Sequence, residues 1–142
     1  EKKDIIASYM KYLASDDMKI VSKYAKFWND WESSCVRLYP MKLADEVTEY
    51  DIAVARLECH YFYNNSFIKE NYILDNIDKI KNIKTLICHG RYDVDCRPSG
   101  AYQLAKHMNN CKLIFVDASG HSSFEPGIAK QLIEFTDGWE EK

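Results

Sequence analysis

Two residues that can carry out acid–base chemistry follow the two predicted strands of this chain. The motif His-Gly-Arg-Tyr-Asp at residues 89–93 follows an apolar run and ends on Asp93. The motif Ser-Gly-His at residues 119–121 follows a second apolar run and ends on His121. An Asp and then a His, on loops after consecutive strands of a parallel sheet, form the closing half of a Ser–Asp–His triad. In such a triad the His is the base and the Asp orients its ring.

The nucleophile that such a triad requires has no counterpart in the sequence. A nucleophilic Ser on a sheet of this kind stands in a Gly-x-Ser-x-Gly turn between a strand and a helix. None of the five glycines of the chain frames that pattern. We therefore interpret the chain as the C-terminal part of an enzyme, and we expect the chain alone to be inactive.

Two glutamates in predicted helices have apolar and aromatic neighbours. Trp28 precedes Glu32 by four residues, and Tyr61 follows Glu58 by three. A carboxylate held against apolar surface is costly unless a cation meets it. One interpretation is that both glutamates reach solvent at the edge of the apolar stripe. The other is a paired site for an ammonium group, with Trp28, Trp31 and Tyr61 as walls.

Residues 1–76 are predicted to form a helical region. Apolar residues at three- and four-residue spacing predict a helix over residues 4–14, a second that follows a cap at residues 15–17 and includes the stripe over 21–35, and a third from 48 to about 63. Thr48, with Asp51 three residues later, resembles a capping box at the start of the third helix. Residues 67–76 are predicted to be irregular.

Residues 77–142 follow a different pattern, in which strands and helices alternate. Continuous apolar runs at 85–88 and 113–116 predict strands that are buried on both faces, as in a parallel sheet. Pro98 and Pro126 open the helix that follows each strand. This order predicts an α/β fold with a right-handed parallel crossover and only a partial sheet.

The composition excludes several classes of function. The net charge is −3 and no basic run occurs, so neither nucleic acid nor a membrane is an expected partner. Five cysteines without C-x-x-C spacing predict core thiols in a reducing compartment, which points to the cytoplasm. The four histidines are scattered, so we expect no metal and no other cofactor.

Four blocks of the sequence together resemble the prolyl aminopeptidases (proline iminopeptidases), which are serine peptidases of the α/β-hydrolase fold. The blocks are W-x-x-W-E at 28–32, A-R-L-E-x-H-Y-F at 55–62, H-G-R-Y-D at 89–93 and S-G-H-S-x-x-E-P at 119–126. The resemblance covers nearly the whole chain and matches only the C-terminal part of that family. The second block is distinctive, because general esterases and lipases of this fold do not share it.

The resemblance implies a role for each matched residue. Asp93 and His121 match the triad acid and base, and Glu32 and Glu58 match the carboxylates that hold the free α-amino group of an N-terminal proline. The implied fold is a helical cap followed by the last strand–helix–strand–helix of the hydrolase core. The implied partners are a peptide with a free N-terminal proline and the missing N-terminal half, which carries the nucleophilic Ser.

Two other functions stay open at this point. A different hydrolase of the same fold, such as an esterase or epoxide hydrolase, would use Asp93 and His121 equally well. A neutral ester, however, gives no reason to keep Glu32 and Glu58 in an apolar pocket. A non-catalytic module would instead bind a partner through its helical face and open sheet edge. Because two strands leave unpaired edges, self-association is also expected.

Overall fold

The computed structural model describes residues 4–138, which form two compact units. The first unit contains the residues up to Ser34 together with Lys42–Glu70, and the second contains Cys35–Met41 together with the residues from Asn71 onward. The sequence pattern changes near residue 76, and the chain passes between the two units after Ser34, after Met41 and after Glu70. No local pattern indicates that Cys35–Met41 joins the second unit.

The first unit consists of helices around a small apolar core. They are α1 (Ile5–Leu13), α2 (Met18–Cys35) and α3 (Glu49–Tyr63). Apolar residues at three- and four-residue spacing put one side of each helix inward. The buried side chains are Leu13, Val21, Ala25, Trp28, Ile52, Ala55 and Cys59. Within residues 4–138 no helix has the length and apolar character needed to cross a membrane.

The predicted helix starts are confirmed by capping hydrogen bonds. The Asp4 carboxylate accepts a bond from the Ala7 N–H at 3.1 Å, and the Asp17 carboxylate accepts one from the second residue of α2 at 2.9 Å. Thr48 Oγ1 accepts from the Asp51 N–H at 3.2 Å, and the Asp51 carboxylate accepts from the Thr48 N–H at 2.8 Å. These bonds satisfy donors that a helix N-terminus leaves without an internal partner.

The second unit has the predicted alternation of strands and helices. Its elements are α4 (Tyr72–Asp75), β1 (Thr85–Gly90), α5 (Pro98–His107), β2 (Cys111–Val116) and α6 (Pro126–Asp137). β1 and β2 pair in parallel, in a register that runs from Thr85 opposite Cys111 to Gly90 opposite Val116. The predicted α/β fold with a partial parallel sheet is therefore confirmed.

Two details of the second unit differ from the sequence-based expectation. Residues 67–76 were expected to be irregular, but they include the single turn α4, which begins after Asn71 in a left-handed conformation with φ 60°. A run of four residues is too short for periodicity to show. The strand at 85–88, expected to be buried on both faces, is only half-buried, because the sheet has two strands in the described part of the chain.

Candidate active site

The loops after β1 and β2 meet where two glycines let their backbones touch. A Cβ added at Gly90 would lie 1.8 Å from the carbonyl oxygen of Gly120. No glycine within residues 4–138 has a positive φ, so the close approach, and not a left-handed turn, is what requires Gly90.

Backbone hydrogen bonds fasten the two loops to each other. The Arg91 N–H donates to the carbonyl of Val116 at 3.0 Å, and the Tyr92 N–H donates to the carbonyl of Ser119 at 3.0 Å. The guanidinium of Arg91 pairs with the carboxylate of Asp117. Because these bonds extend the β1–β2 pairing beyond the strands, each loop is held relative to the other at backbone level.

Asp93 and His121 are hydrogen-bonded to each other on these loops. His121 Nδ1 lies 3.0 Å from Asp93 Oδ2. An ionised carboxylate can only accept hydrogen bonds, so Nδ1 carries the proton and Nε2 of the neutral ring is left with a free lone pair. The Asp93 side chain is 4% exposed and that of His121 is 42% exposed. The ring can thus receive a proton from a group outside the protein surface.

The buried carboxylate of Asp93 has its other oxygen satisfied as well. Asp93 Oδ1 accepts hydrogen bonds from the N–H groups of Asp95 at 3.0 Å and Cys96 at 2.9 Å. Such bonds stabilise the charged form of a carboxylate away from water. The loop after β1 therefore holds the Asp93 carboxylate in a fixed position against the ring of His121.

A second imidazole, overlooked in reasoning from the sequence, also faces this carboxylate. His89 Nε2 lies 3.5 Å from Asp93 Oδ2 and 3.1 Å from the carbonyl oxygen of Cys96. Both neighbouring atoms are acceptors, so Nε2 of His89 carries a proton. The ring therefore links the end of β1 to the loop that follows it. The available signal was its place in the 89–93 motif, at the end of the strand and four residues before Asp93.

The cysteine nearest the pair is not activated as a nucleophile. Burial raises the pKa of the Cys96 thiol, and the carboxylates of Asp93 and Asp95 raise it further. Because the thiolate is the reactive form of cysteine, a raised pKa lowers the fraction of this group that can act as a nucleophile. The chemistry that the pair supports is therefore proton transfer to and from another group.

In the first unit, the predicted ammonium-binding residues lie on α2 and α3. The indole N–H of Trp28 donates to Glu58 Oε2 at 2.8 Å. Trp28 is 5% exposed and belongs to the apolar core, while Glu58 is half-buried. A buried indole N–H requires an acceptor, and here it also fixes the direction of the Glu58 carboxylate. Trp28 thus makes a hydrogen bond to Glu58, whereas the sequence predicted it only as an apolar wall of the ammonium site.

Glu32 and Tyr61 each lie one helical turn from these residues. Glu32 follows Trp28 on the same side of α2 and is half-buried. Tyr61 follows Glu58 on α3, is 51% exposed, and sets its ring edge-on to Phe67 with 5.4 Å between centroids. The roles of all four residues in binding an amine stay predictions.

Comparison with known proteins identifies close relatives over almost the whole chain. No protein-family model matches it. A probable proline iminopeptidase of Leptolyngbya boryana is 41% identical over 143 aligned residues, which cover 96% of this chain and 44% of the relative. Proline iminopeptidases of Arabidopsis thaliana and Neisseria gonorrhoeae are 39% and 37% identical, covering 91% and 92% of this chain but 35% and 42% of the relatives.

These relatives confirm the resemblance found in the four motifs. The chain spans less than half the length of each of these curated proteins, and the matched segment corresponds to their C-terminal part. Identity at this level over nearly all of the chain indicates common ancestry with that part.

Proposed function

We propose that this chain, homologous to the C-terminal part of the proline iminopeptidases, supplies the base and the orienting acid of a serine aminopeptidase. That enzyme releases the N-terminal proline of a peptide. The observation that carries the proposal is the bond of 3.0 Å between His121 Nδ1 and Asp93 Oδ2. It lies at the carboxyl ends of two paired parallel strands, where sheets of this kind hold their catalytic groups.

In the proposed reaction, the nucleophilic Ser comes from the part of the protein outside this chain. Its oxygen attacks the proline carbonyl while His121 Nε2 takes the hydroxyl proton, and Asp93 stabilises the imidazolium that forms. The C–N bond then breaks, and His121 returns the proton to the leaving amine. Water hydrolyses the resulting ester by the same transfers in reverse order, releasing proline and restoring the Ser hydroxyl.

Glu58 and Glu32 are proposed to recognise the ammonium group of the substrate. A protonated N-terminal proline carries two N–H donors on a single charged nitrogen, which suits two carboxylates. The bond from Trp28 occupies one oxygen of Glu58 and orients the other. Tyr61 is proposed as an adjoining wall, because its half-exposed ring can cover the apolar face of the pyrrolidine.

The remaining part of the hydrolase is proposed as the partner of the second unit. Two observations support this: the relatives are more than twice as long as the matched segment, and β1 pairs only with β2 within residues 4–138. A largely apolar groove of about 530 Å³ borders β1, with Ile73, Leu74, Ile87 and Leu104 in its lining. We propose that the chain alone self-associates through such surfaces. For the whole protein, we propose a cytoplasmic location.

Activity of the whole protein tests the proposed reaction. The chain is fused or mixed with the N-terminal half of a relative and assayed on proline 4-nitroanilide, on its N-acetylated analogue, and on an uncharged 4-nitrophenyl ester. We expect hydrolysis of the free proline amide that a serine reagent abolishes and that N-acetylation greatly weakens. Preference for the ester, or equal rates on free and acetylated amides, would instead identify another hydrolase of this fold.

The chain by itself should show neither activity nor a single monomeric mass. The oxyanion hole is proposed to lie outside this chain, and each donor of such a site contributes a factor of about 10² to 10³ in rate. Amidase assay and light scattering over a dilution series measure the two properties. Turnover by a monomer that a serine reagent blocks would contradict the view that the nucleophile lies outside this chain.

A further inference from the structure

A buried carboxylate lies four residues after the base and has no part in the proposed reaction. Glu125 is 5% exposed. Its Oε1 accepts hydrogen bonds from the N–H of Leu38 at 2.8 Å and from the N–H of Gly120 at 3.1 Å. Burying a carboxylate costs free energy unless such donors compensate it. The two bonds explain how the charge is held, and they join two distant segments of the second unit.

Glu125 does not use its side chain to cap the helix that it precedes. It stands at the N-cap position of α6, where a short polar side chain would normally bond to the first turn, yet no such bond is made from its side chain. The carboxylate instead reaches the loop after β2 and the segment 35–41. Its contacts are tertiary, which a residue needed only to start α6 would not require.

The loop that carries His121 is held by three consecutive backbone N–H groups. Gly120 donates to Glu125, and His121 and Ser122 both donate to the carbonyl of Val36, at 3.0 and 2.8 Å. The segment 35–41 is itself held by the bond from Leu38 to Glu125. Glu125 therefore fixes both the residue before the base and the segment to which the base is bonded.

The packing around Gly120 leaves little room for another backbone arrangement of the loop after β2. A Cβ added at Gly120 would lie 2.9 Å from the backbone nitrogen of Leu38. The Gly120 backbone thus contacts the 35–41 segment on one side and the Gly90 backbone on the other. Removing the Glu125 acceptor would leave the N–H groups of Leu38 and Gly120 unsatisfied in this confined space, so the loop must move to reach water.

We propose that Glu125 is a positioning residue for His121. By holding Gly120 and the 35–41 segment together, its carboxylate sets the direction of the His121 ring, so that Nδ1 meets Asp93 and Nε2 stays free. The significance for catalysis rests on the proposed function. The positioning itself is a property of this chain and can be measured without activity.

The tautomer of His121 tests the proposal in the chain as it is. Long-range ¹H–¹⁵N spectra of the neutral ring report which nitrogen carries the proton, and the His121 signals are assigned with a His121→Gln variant. We expect the Nδ1–H form in the unchanged chain. Glu125→Ala should lose that preference, because the loop no longer holds the ring against Asp93. Glu125→Gln should retain it, because its amide oxygen can accept both backbone bonds.

A control and an independent measurement keep the test decisive. Glu134→Ala removes an exposed carboxylate from α6, the helix that Glu125 precedes. This carboxylate pairs with Lys130 at 3.8 Å, and its loss should leave the tautomer unchanged. Hydrogen exchange in the unchanged chain, which needs no variant to fold, should show the Gly120 and Leu38 amides protected together. Free exchange of the Gly120 amide, or a folded Glu125→Ala chain with an intact Nδ1–H form, would overturn the proposal.

Kinetics of the whole protein separate this proposal from the proposed function. Displacing a catalytic group by about 1 Å can cost roughly 10² in rate, so Glu125→Ala should lower kcat by about that factor with little change in KM, and Glu125→Gln should restore it. If no proline amide is hydrolysed while the tautomer responds as expected, the proposed function fails and the positioning role stands. An unaltered kcat in Glu125→Ala would contradict the positioning role.

Discussion

The two candidate sites of this chain are held in different ways. In the second unit, Asp93 and His121 lie on loops joined to each other by backbone hydrogen bonds, and the Asp93 side chain is 4% exposed. In the first unit, Glu58 is half-buried and is oriented by one side-chain bond from Trp28. Main-chain hydrogen bonds thus hold the loops of Asp93 and His121, whereas the predicted ammonium site is built from side chains on helices.

This difference fits the chemistry proposed for each site. Proton transfer depends on hydrogen-bond geometry, so a displacement of about 1 Å is costly. Attraction between a carboxylate and an ammonium group varies slowly with distance and direction. A site made of flexible side chains is therefore adequate for binding the amine, while the base requires a rigid support.

Asp93→Asn should produce the largest effect. The amide cannot hold the imidazolium or select the Nδ1–H form, so kcat of the whole protein should fall by about 10⁴. Asp78→Asn, which changes a carboxylate that is 83% exposed in the same unit, serves as the matched control and should leave kcat unchanged. A loss below tenfold for Asp93→Asn would mean that the pair is structural.

Gly90→Ala should disrupt the close backbone contact between the loops that carry Asp93 and His121. The new Cβ would meet the carbonyl oxygen of Gly120 at 1.8 Å, and backbone atoms cannot yield as side chains do, so unfolding free energy should fall by about 3 kcal/mol. Gly100→Ala is the control, since nothing lies within 4 Å of a Cβ there. In helix α5 it should stabilise by about 0.5–1 kcal/mol. Urea denaturation of both variants measures the difference.

Glu58→Gln should affect recognition more than stability. Losing one charge-assisted hydrogen bond should lower kcat/KM for free proline amides by about ten- to a hundredfold, while N-acetylated amides should change little. The Gln oxygen can still accept the bond from Trp28, so the helices keep their contact. Glu49→Gln, an exposed position in the first turn of α3, provides the comparison. Equal losses on both substrates would indicate a structural role for Glu58.

Asp51→Asn should produce the smallest effect, and one that depends on pH. Hydrogen bonds from the Thr48 backbone and then its hydroxyl lower the pKa of Asp51 below its usual value. The stabilisation is therefore present above the unfolded-state pKa and is lost as the pH falls through the folded-state pKa. Because solvent screens the charge in this exposed capping box, Asp51→Asn should lower the free energy of unfolding by less than about 1 kcal/mol. The Tm of the Asp51→Asn chain should lie below that of the unchanged chain at pH 6, and the two Tm values should converge at acidic pH. A difference in Tm that does not change with pH would show that the charge of Asp51 does not stabilise the cap.

Much of the fold followed from patterns that act over short distances. Thr48 and Asp51 mark the start of α3 because both partners of the capping box lie within one turn. The pairing of Asp93 with His121 could be predicted from the sequence because parallel strands bring their carboxyl ends to one edge. The turn α4 and the half-burial of β1 could not be predicted in this way, since one is too short for periodicity and the other depends on the number of neighbouring strands.

Sequence alone determined which residues can do chemistry here and on which elements they lie. Helix caps, apolar periodicity and the two motifs that end on Asp93 and His121 depend on neighbours along the chain. Only the tertiary structure decided that Glu125 would reach Leu38, which is 87 residues away, and that Trp28 would orient Glu58, 30 residues later. No local pattern encodes these contacts, because a buried polar group bonds to whichever donor or acceptor packing brings within reach.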